Sequence, residues 1–172
     1  MWYAIVAILI LIADQGLKYW VTVNIPLDTG HVTLIPGVLE LTNIHNNGAA
    51  FSMLAGKRWL LVGVTGVALL AVAYFVFVRR PKSKVEHLAL IMIFAGGVGN
   101  WIDRFLNGTV VDYVNFQFVS FAIFNFADVC VTGGFALLIV WFIVAEVKAK
   151  RLRDAQAAAD DEDCGTGTGA EP

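Results

Sequence analysis

The sequence predicts an all-α membrane protein: four transmembrane helices, a small extracytoplasmic β-sheet between the first and second, and both termini in the cytoplasm. Three observations carry that expectation. Hydrophobic residues make up 58% of the 172 residues and charged ones only 15%, with a mean hydropathy of +0.71, far more apolar than a soluble domain of this size. The apolar residues gather into four stretches, each close to the ~20 residues a helix needs to cross a bilayer. Lys and Arg flank those stretches unevenly, and that asymmetry sets the orientation.

The first stretch opens at Trp2 to Ile12 and continues past Asp14 and Lys18 to Val23. No Lys or Arg precedes it and no small-x-small cleavage site follows, so it reads as a span and not as a cleaved signal peptide. In the connection from Asn24 to Gly56, Val32-Thr33-Leu34-Ile35 and Val38-Leu39-Glu40-Leu41-Thr42 flank a Pro36-Gly37 turn signal, which predicts two short strands. Their apolar residues are too few for a core of their own. They are expected to lie on the outer leaflet, with Ile44 to Phe51 leading back into the membrane. The second span is Trp59 to Val78, the third Val85 to about Phe105, and the fourth about Phe121 to Val147. Residues 1–154 thus form a single domain whose outer sheet occupies about 24–56. Residues 155–172, rich in Ala, Asp and Gly and carrying Asp160, Asp161, Glu162 and Asp163, lack large apolar side chains and are expected to be a disordered acidic tail.

Arg79, Arg80, Lys82 and Lys84 crowd the connection between spans two and three, and Lys148, Lys150, Arg151 and Arg153 follow span four. Basic residues retard translocation of short loops, so both sites are cytoplasmic. The connection from Asn24 to Arg58 carries only Lys57 and Arg58, at the membrane edge, and Leu106 to Ser120 carries neither Lys nor Arg, so both face outward. A nucleic-acid signature is absent. Cys130, in an apolar segment, and Cys164, in the tail, do not suggest a disulfide or metal framework.

Within this plan the acids stand out, because a carboxylate in an apolar span is costly unless it performs a task. At a rise of roughly 1.5 Å per residue, Asp14 falls in the outer half of span one and Asp103 near the outer end of span three. Asp128 falls a turn or two into span four, and Asp112 in the short outer connection before it. All four converge on one level. A single buried acid is as readily a structural hydrogen-bond partner as a reactive group, whereas a cluster favours chemistry. Asp103, beside Arg104, is the one best suited to a structural or orienting ion pair.

Other chemistries fit poorly. His31, His45 and His87 lack the spacing of a zinc-binding helix face, so no metal is expected. Ser52, Ser83 and Ser120 have neither a Gly-x-Ser-x-Gly elbow nor a nearby base, and Cys130 has no His at its depth. What remains is two carboxylates sharing a proton: one takes a proton from water while the other donates to the scissile carbonyl of a peptide. Asp128 is one member, and the residues alone leave Asp103 and Asp112 both open as the other. Asn46, Asn100 and Asn125 lie at the same depth, either as caps at helix ends or as amide donors to a substrate backbone. Gly96, Gly97 and Gly99 read as small residues that let span three pack closely on a neighbour.

Five ordered motifs covering about residues 14 to 134 now carry a resemblance: Asp14-Gln15-x-x-Lys18, Asn46-x-Gly48-Ala49-Ala50-Phe51, Gly96-Gly97-x-Gly99-Asn100-x-x-Asp103-Arg104, Val110-Val111-Asp112 and Phe124-Asn125-x-Ala127-Asp128. In these the chain resembles the lipoprotein signal peptidases, the bacterial signal peptidase II family of membrane aspartic peptidases. The resemblance implies a multi-pass protein of the bacterial cytoplasmic membrane with its site near the outer face. It further implies cleavage of the signal peptide from diacylglyceryl-modified prolipoproteins just before the lipidated cysteine. It makes Asp112 and Asp128 the catalytic pair. Asp14, Lys18, Asn46, Gly48, Asn100, Asp103, Arg104, Asn125 and Ala127 become supporting or substrate-contacting positions, and the strands become a cradle over the substrate. The partners it implies are prolipoprotein signal peptides with a diacylglyceryl cysteine and membrane lipids, with no nucleic acid, no cofactor and a monomeric state. The segment from Asp112 to Asp128 is a little shorter than the family's usual one. A small proton- or cation-coupled transporter is the alternative from another class, but it needs acids along a path across the bilayer. A purely structural membrane subunit needs none of the acids.

Overall fold

A computed structural model describes residues 2–48 and 53–166, with 157–166 described by their backbone alone. Ala49, Ala50 and Phe51 of the second motif, and the end of the tail from 167, lie outside the described residues. The elements in order are α1 (Trp2–Asn24), β1 (His31–Ile35), β2 (Leu39–Asn46), α2 (Arg58–Ala73, extended by a π-helical turn Tyr74–Arg79), α3 (Lys84–Asn107), β3 (Val110–Phe116) and α4 (Phe126–Thr166). All four helices are long and apolar enough to cross a membrane. The expected spans are present, with the second and third each within two residues of the predicted ends.

Helix α3 is the centre of the bundle, since α1, α2 and α4 all pack on it. Its ends are fixed by local chemistry. At the start, the Ser83 side chain accepts the Glu86 N–H in a Ser-x-x-Glu cap, and at the end Gly108 takes φ +81° and returns its N–H to Arg104 O at 3.1 Å. Arg58 closes the remaining carbonyls, donating from Nε to Arg104 O at 2.9 Å and from Nη2 to Phe105 O and Leu106 O. α1 buries Ala7, Asp14, Lys18 and Val21, a stripe at spacings of seven, four and three that keeps one face toward α3.

Helices α3 and α4 touch backbone to backbone, as the small residues of span three predict. A Cβ added to Gly96 would lie 2.5 Å from Ala127 O and 3.0 Å from Cys130 Cβ, and one added to Gly134 would lie 2.8 Å from Ala89 O. A Cβ on Gly99 would strike the Asp14 carboxylate. Only glycine lets that acid reach its place between α1, α3 and α4.

The sheet is larger than the sequence suggests. Its order is β1-β2-β3, all antiparallel, so the connection between spans three and four supplies a strand to the hairpin between spans one and two. Pro36-Gly37 forms the hairpin turn, with Gly37 at φ +71° and Val38 N–H returning to Ile35 O at 3.0 Å. Between Leu41 and Ile44 the register of β2 against β3 shifts by a bulge, after which Ile44 stands opposite Asp112 and Asn46 opposite Val110. The bulged Asn43 is buried and donates to Ile25 O at 2.8 Å, tying the sheet to the end of α1.

The fourth span begins later than expected, at Phe126 and not about Phe121. Phe124 is instead extended and bridges to Val114, its carbonyl accepting from Tyr113 N and Val114 N, while Phe116, Phe118, Phe121 and Phe124 pack as a ring cluster. At the other end α4 stays helical through Thr166, past the predicted boundary at residue 154 and into the stretch expected to be disordered. Ala-rich sequence from Ala155 favours the helix. The side chains from Arg151 to Gln156 are exposed.

Candidate active site

The two acids at the centre of the site come from different elements and are brought together by backbone pairing. Asp112 sits in β3, buried at 4% exposure, opposite Ile44 of β2. Asp128 sits half-buried in the first turn of α4. The Val114–Phe124 bridge folds the chain back so that Asn125, the residue before α4, lies next to both.

Asn125 caps the helix and links the acids in one gesture. Its Oδ1 accepts the Asp128 N–H at 3.0 Å, and the Asp128 Oδ2 accepts the Asn125 N–H at 3.1 Å, a reciprocal cap. Its Nδ2 then donates to Asp112 Oδ1 at 2.7 Å. Asp112 Oδ2 accepts from Asn46 Nδ2 at 3.0 Å, and Asp128 Oδ1 accepts from Asn100 Nδ2 at 2.7 Å. All four carboxylate oxygens therefore receive an N–H, and all four donors belong to three asparagines. The sequence offered caps or substrate donors for these amides; the structure aims them at the acids. Burial pushes Asp112 up to about 6, with the nearby Asp128 charge adding to the rise and the Asn46 and Asn125 donors opposing it.

Beneath the amides lies a buried ionic layer. Lys18 Nζ donates to Asp14 Oδ2 at 2.8 Å and to Asn100 Oδ1 at 2.8 Å, and pairs ionically with Asp103 Oδ2 at 2.7 Å. Asp14, fully buried, also accepts the Ala127 N–H at 3.0 Å, so an acid of α1 holds the first turn of α4. The expected pairing of Asp103 with Arg104 gives way here. Neighbours on a helix point about 100° apart, and Asp103 turns inward to Lys18 while Arg104 reaches up to donate from Nη2 to Gly48 O at 2.9 Å. Gly48 in turn gives its N–H to Asn46 Oδ1 at 2.9 Å.

Every residue the sequence singled out for the site thus falls in one connected network, running from Arg104 through Gly48, Asn46, Asp112, Asn125, Asp128 and Asn100 to Lys18, Asp103, Asp14 and Ala127. Two contributors had been passed over. Gln15 donates from Nε2 to Asp14 Oδ2 at 3.1 Å and Asp103 Oδ1 at 3.2 Å, and its place beside Asp14 in a quoted motif was the available signal. Tyr113, next to Asp112, accepts the Phe126 N–H on its hydroxyl at 3.1 Å; burial pushes it up to about 12, so it stays neutral. Nothing in its spacing marked it.

Comparison with known proteins agrees with this architecture. A family model described as Signal peptidase (SPase) II matches residues 6–144. The lipoprotein signal peptidase of Latilactobacillus sakei is 39% identical over 152 residues, covering 88% of this chain and 98% of that protein. That of Streptococcus thermophilus is 45% identical over 136 residues, covering 78% and 88%. A bacterial membrane enzyme solved by the in meso method at 2.3 Å superposes with a TM-score of 0.78 at 33% identity, over 82% of this chain and 87% of that one. A second, at 1.9 Å, gives a TM-score of 0.74 at 33% identity, over 81% and 91%.

Proposed function

The chain belongs to the signal peptidase II family, a family of peptidases, and from that premise we propose that it is the membrane aspartic endopeptidase that frees diacylglyceryl-modified prolipoproteins of their signal peptides, cutting before the lipidated cysteine. Asp112 and Asp128 are the catalytic pair. The observation that carries this choice is that the three site asparagines direct their N–H groups to these two carboxylates, while Asp14 and Asp103 are spent on Lys18. That separation favours Asp112 over Asp103 as the partner of Asp128.

Asp112, pushed up to about 6, is the proton-bearing partner. Asp128 takes a proton from a water as that water adds to the scissile carbonyl, and Asp112 gives its proton to the carbonyl oxygen, forming a gem-diol. In the second step Asp128 passes its proton to the amide nitrogen as the C–N bond breaks, and Asp112 recovers a proton from a diol hydroxyl. The products are the carboxyl end of the signal peptide and the free amine of the lipidated cysteine, with both acids returned to their starting forms.

The sheet-bearing end of the bundle faces outward in the bacterial cytoplasmic membrane and the termini face the cytoplasm, as the basic residues at 79–84 and 148–153 indicate. The transporter alternative loses ground, because the intramembrane acids are bonded into one cluster and do not line a path. The functional test is cleavage by purified protein of a diacylglyceryl prolipoprotein beside the same precursor without its lipid. Cleavage of the lipidated form alone is expected; equal cleavage of both, or of neither, would refute the proposed substrate.

A further inference from the structure

An amide side chain is ambivalent, presenting C=O on one side and N–H on the other, and only its partners fix which way it faces. A catalytic carboxylate that is meant to ionise needs the N–H face. Each of the three asparagines around Asp112 and Asp128 has its oxygen held by a group that can only donate. For Asn46 that group is the Gly48 backbone N–H at 2.9 Å, and for Asn125 it is the Asp128 backbone N–H at 3.0 Å. For Asn100 it is a side chain, the Lys18 ammonium at 2.8 Å, with a longer contact from Asn125 Nδ2 at 3.2 Å.

We propose that Lys18 is a positioning residue for catalysis: it holds the Asn100 amide in the direction that offers an N–H, and not a carbonyl, to Asp128. This rests on the reading of Asp112 and Asp128 as the reacting pair. The geometry is economical. Lys18 lies at 3% exposure, touches neither acid of the pair among its short contacts, and is held by a hydrogen bond to Asp14 and an ion pair with Asp103. Its other hydrogen bond goes to Asn100 Oδ1, across 82 residues of sequence, and Asn100 Nδ2 then reaches Asp128 Oδ1 at 2.7 Å. With an apolar side chain at position 18, the Asn100 oxygen keeps only the longer Asn125 contact, from an NH2 whose other bond goes to Asp112. The amide is then free to turn its carbonyl toward Asp128, where it repels the carboxylate and withdraws the donor that steadies it.

The test is a double-mutant cycle on cleavage of a diacylglyceryl prolipoprotein, with Lys18→Met, Asn100→Leu and the pair. The expected result for Lys18→Met is a fall in kcat of about 10- to 100-fold with KM within about twofold, because the substrate contacts are untouched. In the Asn100→Leu background the same change should alter kcat by less than about threefold, because the amide it orients is gone. Removing a buried cation strands Asp14 and Asp103, so the cycle is also run with Asp103→Asn throughout, which removes one negative charge for the positive one lost, and every protein is checked by thermal melt. Effects of Lys18→Met that multiply undiminished onto Asn100→Leu, or that fall on KM with kcat kept, would overturn the proposal. Asp112→Asn and Asp128→Asn are assayed alongside: turnover by those would break the reading of the acid pair, whereas their inactivity together with a multiplicative cycle would break only the role of Lys18.

Discussion

Replacing Asp112 by Asn should make the protein gain stability relative to the parent as the pH rises, although it removes activity. Asp112 is 4% exposed, and burial pushes it from its ordinary 3.8 up to about 6. A value raised in the folded state means that the fold binds the proton more tightly than the unfolded chain does. The stability contributed by that proton is complete below 3.8 and is lost as the pH climbs through about 6. At about 1.36 kcal/mol per pH unit, keeping the ionised carboxylate buried costs about 3 kcal/mol at neutral pH. Asparagine does not titrate and escapes that cost. It brings another, because both oxygens of Asp112 accept N–H bonds, from Asn46 and Asn125, and an Asn in its place accepts at one oxygen and sets its NH2 against the other donor. That opposition costs about 1–3 kcal/mol and does not vary with pH. The absolute stabilities of the two proteins at neutral pH therefore come out close, but their difference should move by about 2 kcal/mol in the variant's favour between about pH 4 and about pH 7.5. In melting temperature that is on the order of 5 °C. Thermal melts of both proteins in detergent across that range read it directly. A difference that stays flat with pH would refute the burial argument for Asp112.

Three further outcomes are expected. Gly96→Ala places a methyl 2.5 Å from the Ala127 carbonyl, a backbone atom that cannot swing aside, and should lower stability by about 1–3 kcal/mol; because Asp128 follows Ala127, cleavage should fall as well, and parental melting with parental activity would contradict the close α3–α4 contact. Deleting residues 155–172 should leave the cleavage rate nearly unchanged, because the side chains leading into that segment are exposed and the acids lie at the far end of the bundle; a loss of activity at an unchanged protein level would refute it. For orientation, an impermeant maleimide added to intact cells should label Thr29→Cys and spare Ser83→Cys; labelling at Ser83→Cys from outside would reverse the assigned topology.

What could be read in advance was whatever local pattern encodes. Four apolar stretches of spanning length gave the helices, Pro36-Gly37 gave the hairpin turn, and the shared depth of Asp14, Asp103, Asp112 and Asp128 anticipated their clustering. Asn125-x-x-Asp128 is itself a capping signature that marks the start of α4, yet the apolar run Phe121 to Phe124 drew the predicted start upstream. That run is apolar because it packs as rings against Phe116 and pairs with Val114, and hydrophobicity alone does not tell a packed loop from a helix turn. Strand β3 was missed for a related reason. Its Val, Tyr and Phe content favours a strand, but its partner β2 lies far upstream, with Asn46 and Asp112 separated by 66 residues, and local periodicity carries no information about pairing at that range. The same holds for the ionic layer. Adjacency in sequence suggested Asp103 with Arg104, whereas helix geometry turns them apart and a lysine of another helix takes the acid.

The measurement that bears most directly on the account is the cleavage rate of a diacylglyceryl prolipoprotein by purified Asp112→Asn, Asp128→Asn and the double variant, each shown to be folded by thermal melt. If the two acids share one proton across an attacking water, each single change should slow cleavage by at least about 10³-fold and the double change should add little to either, because the pair works as a unit. Substantial turnover by either well-folded single variant would contradict the assignment.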